Sequence, residues 1–199
     1  MPVALNTNAL ITAAELAIFM QTTISDSDYA NTLINIASDF IERYCNRKFI
    51  SQTFTDEQHD GTGSRYLYLK NMPITSVTAV KLWDLSTDSL LYTYTEHTEF
   101  TPYLDEGMIY MAGGWQAGHK NYRVTYIAGY AIASVPYDLK SICARIAGYI
   151  YANAGAAGIK SESMGNYSVT YDKDSVDKFG AEMPADLVAG LQRWRNYVI

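Results

Sequence analysis

The hydrophobic period of the chain changes between Asn46 and Phe49 and changes back near Pro136. Upstream, Tyr29, Leu33, Ile36, Phe40 and Tyr44 recur at steps of four, three, four and four, which places them along one side of a helix. From Phe49 to about Tyr130 the pattern alternates instead, with Thr, Tyr and Val enriched, as in half-buried strands. After Pro136 the residues Leu139, Ile142, Cys143, Ile146, Ala147 and Ile150 restore a helical stripe. A chain that reads helix, sheet and helix in blocks predicts an α+β fold rather than an alternating α/β one. The expected architecture is a small helical hub of three to four helices, a long β-rich insertion and a C-terminal arm of strand plus helix. The divisions expected are 1–50, 51–130, 131–159 and 160–199.

Local signals place the elements. Thr12-Ala13-Ala14-Glu15 is a capping box, with Ile11 and Leu16 spaced as its hydrophobic staple, so a short helix is expected to run to about Met20. Ser25 or Asp26 caps the second helix, which ends near Asn46. Strands are expected at about 49–58, 65–70, 75–83, 89–95, 107–111 and 121–127, separated by turn signals such as Asp60-Gly61-Thr62-Gly63 and Gly113-Gly114. In the last strand Tyr122, Val124 and Tyr126 face one way and Arg123, Thr125 and Ile127 the other, which fits a sheet with one wet face. Ala152 to Gly158 is too small and glycine-rich to stay helical, Tyr167 to Tyr171 alternates as a strand, and Pro184 opens a last helix bearing Leu187, Val188, Leu191, Trp194 and Val198.

Composition narrows the function classes. At 199 residues the chain buries roughly 70% of its unfolded surface, so its core needs no staples. Fifteen Lys and Arg against 21 Asp and Glu leave a net charge of −6, which disfavours a protein that grips phosphates. Cys45 and Cys143 both fall in amphipathic helices, where a thiol behaves as a small buried hydrophobe, so no disulfide is expected. Met1 to Asn6 lacks a basic stretch leading into an apolar run, and Ser141 to Ile159 is too polar and glycine-rich to span a bilayer. Synthesis in the cytoplasm and no membrane partner are therefore expected. Seventeen tyrosines beside only 18% charged residues suit a surface made to meet a partner, because Tyr supplies contact area at low entropy cost.

No chemistry-bearing motif emerges. His59, His97 and His119 lack metal-ligand spacing, and neither a zincin helix, a paired CxxC nor a nucleophile elbow is present. Asp56-Glu57-Gln58-His59-Asp60 concentrates possible ligands but abuts a turn, so a solvated hairpin end is expected there. Asp172 to Asp177 fails as a calcium loop, with Asp177 at the sixth position and Met183 at the twelfth. Gly61-x-Gly63 and Gly158-Ile159-Lys160 lack phosphate-loop spacing. Trp83, Trp115 and Trp194 read as core or interface residues rather than as a stacking platform. Glu15, Glu42 and Asp138 have no partner positioned by sequence. No enzyme, cofactor or metal site is expected.

Taken together, Ile41-Glu42-Arg43-Tyr44-Cys45-Asn46-Arg47, Tyr122 to Tyr130, Val135-Pro136-Tyr137-Asp138-Leu139-Lys140 and Ile159 to Tyr171 resemble segments of the head-tail connector, or adaptor, proteins of long-tailed double-stranded DNA bacteriophages. The resemblance covers about 10–50 and 120–199, and the β-rich middle departs from the compact helical members of that family. It implies a non-enzymatic virion protein of the neck, a twelve-fold homo-oligomeric ring beneath the portal protein. The ring extends the DNA channel and docks the next neck, tail-terminator or head-closure protein. On this reading DNA passes without tight binding, with Asp105-Glu106-Gly107 and Asp172 to Asp177 as the acidic turns closest to that role. The arm is expected to contact the portal or a neighbouring subunit, with Tyr167, Val169 and Tyr171 pairing to a sheet edge and Leu187, Leu191 and Trp194 filling an apolar groove. The alternative is a β-rich binding module for a glycan or a protein partner.

Overall fold

The computed structural model describes residues 2–153, 161–164, 167–170 and 185–196. The expectations placed on Ala154 to Gly158, Tyr171, Asp172 to Asp177, Pro184 and Val198 lie outside the described residues. The chain divides into two compact units, Met1–Asn46 with Pro136–Arg195, and Arg47–Val135 with Asn196–Ile199.

The first unit is helical: α1 Ala13–Met20, α2 Ser27–Cys45, α3 Tyr137–Asn153 and a short α4, Ala185–Leu191, continued by a 3-10 turn through Trp194. Thr12 and Glu15 form the reciprocal capping box, with the Thr12 N–H donating to Glu15 Oε2 at 2.8 Å and the Glu15 N–H to Thr12 Oγ1 at 3.2 Å. Asp26 caps α2 by accepting from the Asp28 and Tyr29 N–H groups, and Asn46 ends it in the left-handed region. Pro136 opens α3, its carbonyl accepting from the Lys140 N–H at 3.0 Å.

The buried face of α2 differs from the expected stripe. Ala30, Leu33, Ile34, Ala37, Ser38, Ile41 and Cys45 are buried, while Tyr29, Ile36, Phe40 and Tyr44 are only partly so. Small residues let α2 approach its neighbours closely, and the bulkier aromatics are left to flank the seam, where Phe40 stacks on Tyr44 and Tyr29 meets Tyr151. On α3 the expected stripe is the observed one, with Leu139, Ile142, Cys143, Ile146, Ala147 and Ile150 all buried. Gly190 brings α4 against α3, since a Cβ there would lie 3.1 Å from Ile142 Cδ1.

The second unit is two antiparallel sheets. Strands β1 Gln52–Gly61, β7 Gly118–Ala128, β3 Ile74–Asp84 and β4 Ser89–Tyr94 form one in the order β1-β7-β3-β4; β2 Tyr66–Tyr68, β6 Met108–Tyr110 and β5 Thr101–Tyr103 form the other, in the order β2-β6-β5. β5 was not expected, and β1 runs through Asp60-Gly61, where a turn was. Bulges between Phe54 and Glu57 and between His59 and Gly61 keep β1 in register with β7 past that point, and the Gly61 N–H donates to Asn121 Oδ1 at 2.8 Å. The inner faces of both sheets, joined by Trp115 from the loop between β6 and β7, supply one core with Leu67, Ile109, Val80, Tyr122, Val124, Tyr126 and their neighbours. A separate hairpin, β8 Ser161–Met164 with β9 Tyr167–Thr170, adds a partner to the one strand expected in that region.

Candidate interaction surfaces

Several titratable residues of β1 are tied to structural partners. In β1, His59 meets Glu57 Oε2 at 3.0 Å, and the same oxygen accepts from the Tyr126 hydroxyl at 2.5 Å. Asn71 Nδ2 donates to Tyr126 Oη at 3.2 Å. Burial works to raise the Glu57 pKa, but hydrogen bonds from His59 and Tyr126, with the charges of His59 and Lys70, outweigh it and hold the carboxyl below its ordinary value. For Tyr126, burial and the Glu57 contact push the phenol well above its usual range. Asp56 pairs with Lys81 at 3.0 Å and Asp60 with His119 at 3.1 Å. The run Asp56 to Asp60 is thus spread along a strand, and no cluster able to hold a metal ion exists among the described residues.

A carboxyl whose folded pKa is depressed contributes stability above its unfolded pKa and loses it as pH falls through the folded value. The β unit of the wild type should therefore weaken below about pH 4.3 in part through Glu57, by ~1–3 kcal/mol for a carboxylate that loses charge-assisted hydrogen bonds. Urea midpoints at pH 7 and pH 3 test this: the gap should narrow in Glu57→Gln, and an equal gap in both proteins would remove Glu57 from the acid response.

Glu15, Glu42 and Asp138, which sequence left without partners, have them in the helical unit. Lys140, itself buried, reaches Glu15 Oε1 at 2.6 Å and so joins the α1 cap to α3. Burial would raise the Glu15 pKa, but the Lys140 and Thr12 hydrogen bonds more than compensate and lower it. Asn8 donates to Glu42 Oε2 at 3.0 Å, and Arg193 pairs with Asp138. Both cysteines are buried and neither is in a disulfide; Cys45 Sγ lies 3.8 Å from the Leu191 carbonyl, and burial pushes Cys143 up to about 12 even though the Ser38 hydroxyl lies 3.7 Å away.

Of the residues expected to bind a partner, Leu187 and Leu191 are buried within their own helical unit, where α4 packs on α3 and α2. Trp194 is half-buried in the 3-10 turn beyond. Tyr167 and Val169 stand in β9, opposite Met164 and Glu162 of β8, and Tyr171 lies outside the described residues. Trp115 is a core residue, packed edge-on against Tyr94 and Tyr122 with its indole N–H donating to the Ile109 carbonyl at 3.2 Å. Trp83 lies under the Arg123 guanidinium, 3.7 Å from its ring centroid, and donates to Asp88.

Sequence reasoning missed a tyrosine surface. In the β2-β6-β5 sheet the register aligns Tyr66, Tyr110 and Thr101 in one row and Tyr68, Met108 and Tyr103 in the next, all on the face opposite the buried Leu67 and Ile109. The alternation Tyr-Leu-Tyr at 66–68 was the available signal. Without β5 and the register, nothing in the sequence joined it to Tyr103 and Tyr110.

A family model for head completion proteins matches residues 9–175. The chain belongs to the head completion protein family. The family is structural and not enzymatic. In fold, this head completion protein is similar to a chain in the neck of the empty gene transfer agent particle computed with C6 symmetry, at 18% identity and a TM-score of 0.60 over 99% of this chain and 94% of the other. It is similar as well to a chain in the virion of the native gene transfer agent particle, at 20% identity and 0.58, again over 99% and 94%. A third, in the neck of the native particle computed with C12 symmetry, gives 18% and 0.54 over 99% and 97%. No curated protein matches the sequence. The α+β fold of this head completion protein, β-rich middle included, is thus shared along nearly its whole length with those chains.

Proposed function

We propose that this head completion protein is the adaptor of a tailed-phage neck: a twelve-fold ring that seats on the portal protein, lengthens the DNA channel and presents a docking surface to the next neck or tail component. The observation that carries the reading is the family match across residues 9–175 joined to full-length likeness of fold to chains from particle necks, one of them computed with C12 symmetry. A net charge of −6 on each copy fits a channel that guides DNA by repulsion, since every Lys or Arg contact to phosphate adds grip that ejection must break.

Residues 160–199 form the portal-facing arm in this reading. Leu187 and Leu191 hold α4 on the hub, so they reach a portal only if α4 lifts away, whereas the β8–β9 hairpin can add to a sheet edge through the strand that carries Tyr167 and Val169. Deleting 160–199 would strip buried side chains from the hub, so point changes in β9 are the cleaner probe.

Electron microscopy of the full chain mixed with its portal ring tests the assignment. The expected result is a second ring of twelve on the portal, which Tyr167→Asp with Val169→Asp weakens. Portal rings that stay bare would overturn the reading. Duplex DNA added to the assembled ring at low salt should find no tight site, and submicromolar binding that weakens steeply with salt would mean a basic channel.

A further inference from the structure

The β unit exposes two apolar surfaces of opposite shape. One is the tyrosine face: Tyr66 is 38% exposed, Tyr68 63% and Tyr103 38%, with Met108 and Tyr110 partly exposed between them. Its ring planes are tilted, Tyr66 to Tyr110 by 50° and Tyr103 to Tyr110 by 45°. Sugars and bases stack on rings laid flat toward the ligand, whereas tilted rings make a corrugated floor with hydroxyls along its ridges, which suits protein side chains. At the margins Arg65 and Lys70, at the ends of β2, are offset by Asp105 and Glu106 in the β5–β6 turn, so the rim is close to neutral and a polyanion gains nothing there.

The second surface is the β3–β4 hairpin. β4 is an edge strand in which a bulge at Leu91 leaves Leu90 opposite Trp83 and Tyr92 opposite Leu82, so Leu90 and Tyr92 lie on opposite faces; both are 48% exposed, as is Leu85, and Leu91 is 58% exposed. A strand bare on both faces is a projecting one, and a long apolar edge left open invites association. The turn is held stiff: Asp84 accepts from the Ser86 N–H at 2.8 Å, and Asp88 accepts from the Trp83 indole and from Arg123 at 2.9 and 3.0 Å. The hairpin is a hydrogen-bonded projection whose tip is polar and whose sides carry Leu85, Leu90, Leu91 and Tyr92.

A closed ring of identical subunits needs two different surfaces per subunit, one meeting the other on the next copy. From these features we infer that the β3–β4 hairpin of one copy seats on the tyrosine face of its neighbour, forming the head-to-tail joint of the ring. The occupant is a second copy because this chain supplies both halves of the pair, an aliphatic projection and an uncharged aromatic floor, within one unit. Single soluble domains rarely leave two such patches open. The inference rests on the ring proposed above.

Two surface variants test it, Leu91→Asp on the hairpin and Tyr68→Asp on the floor, each checked for native circular dichroism. Each should reduce ring formation on the portal at least tenfold. Mixed together without portal, they should give heterodimers by analytical ultracentrifugation and nothing larger, because one joint per pair keeps both wild-type halves and the other has neither. Leu91→Lys combined with Tyr68→Asp in one chain should recover rings. If the wild type assembles and both single variants assemble equally well, the joint is elsewhere and the ring reading stands. If the wild type does not assemble on the portal, the ring reading fails and takes the joint with it.

Discussion

Ile146→Asp should abolish the helical signal of the protein at 25 °C. Ile146 is fully buried on α3, in the core that α3 makes with α2, α1 and α4. An ionised carboxylate there has no partner, and burying it costs several kcal/mol against a total stability of about 5–15 kcal/mol. Lys140, the buried cation on the same helix, is already held by Glu15 and stands six residues away, on a different face. Far-UV circular dichroism at 222 nm and a thermal melt read the outcome directly. Ile146→Val, which removes one methylene, should cost only about 1 kcal/mol and serves as the control. A folded Ile146→Asp protein with wild-type helicity would show that α3 is not the centre of this unit.

Gly129→Ala is expected to be nearly as damaging to the β unit, for a backbone reason. Gly129 follows β7 with φ +110°, a conformation that side chains rarely adopt. Its N–H donates to the Pro73 carbonyl at 2.9 Å, which fixes it against the start of β3. A Cβ placed on it would lie 2.7 Å from the Ile50 carbonyl carbon and oxygen and 2.8 Å from the Phe49 oxygen, all backbone atoms that no rotamer change can move. The two hydrogen bonds that join the chain before β1 to the chain after β7 flank this point, Tyr130 N–H to the Phe49 carbonyl at 2.7 Å and Ser51 N–H to the Tyr130 carbonyl at 2.9 Å. Strain at the dihedral together with loss of that seam should cost about 3 kcal/mol or more. The urea midpoint should fall accordingly, and the Ser51 and Tyr130 amides should exchange with solvent faster than in the wild type. An unchanged midpoint would mean that the seam shifts without cost and that glycine at 129 is a convenience.

The two substitutions also mark how far sequence reaches in this protein. Ile146 was legible: a stripe on α3 at helical spacing, opened by Pro136, can be buried in only one way, and the capping box at Thr12 and the cap at Asp26 each depend on contacts within four residues. The same locality explains why the alternation at Tyr122, Val124 and Tyr126 gave the inner face of β7 correctly. The segments quoted around Arg43, Tyr126 and Pro136 led to connector proteins, and the family match is to head completion proteins.

Tertiary structure decided what depends on partners far along the chain. On α2 the large aromatics suggested one face and packing chose another, because Ala30, Ala37 and Ser38 admit a neighbouring helix more closely than Phe40 and Tyr44 can. Leu187 and Leu191 were expected to fill a groove on the portal or a neighbouring subunit, and within the chain they pack on α2 and α3; a stripe in sequence shows that a surface is buried without showing by what. β5 has only three residues and gains its hydrogen bonds from β6, so it carried no period of its own to detect. The tyrosine face exists only once β2, β6 and β5 are in register, since a strand displaced by one residue would turn its tyrosines into the core. Sequence thus determined the local periods, the caps and the α+β order of blocks, which short-range contacts specify. Which surfaces remain open for a partner was settled by the folded chain, because exposure is what long-range packing leaves over.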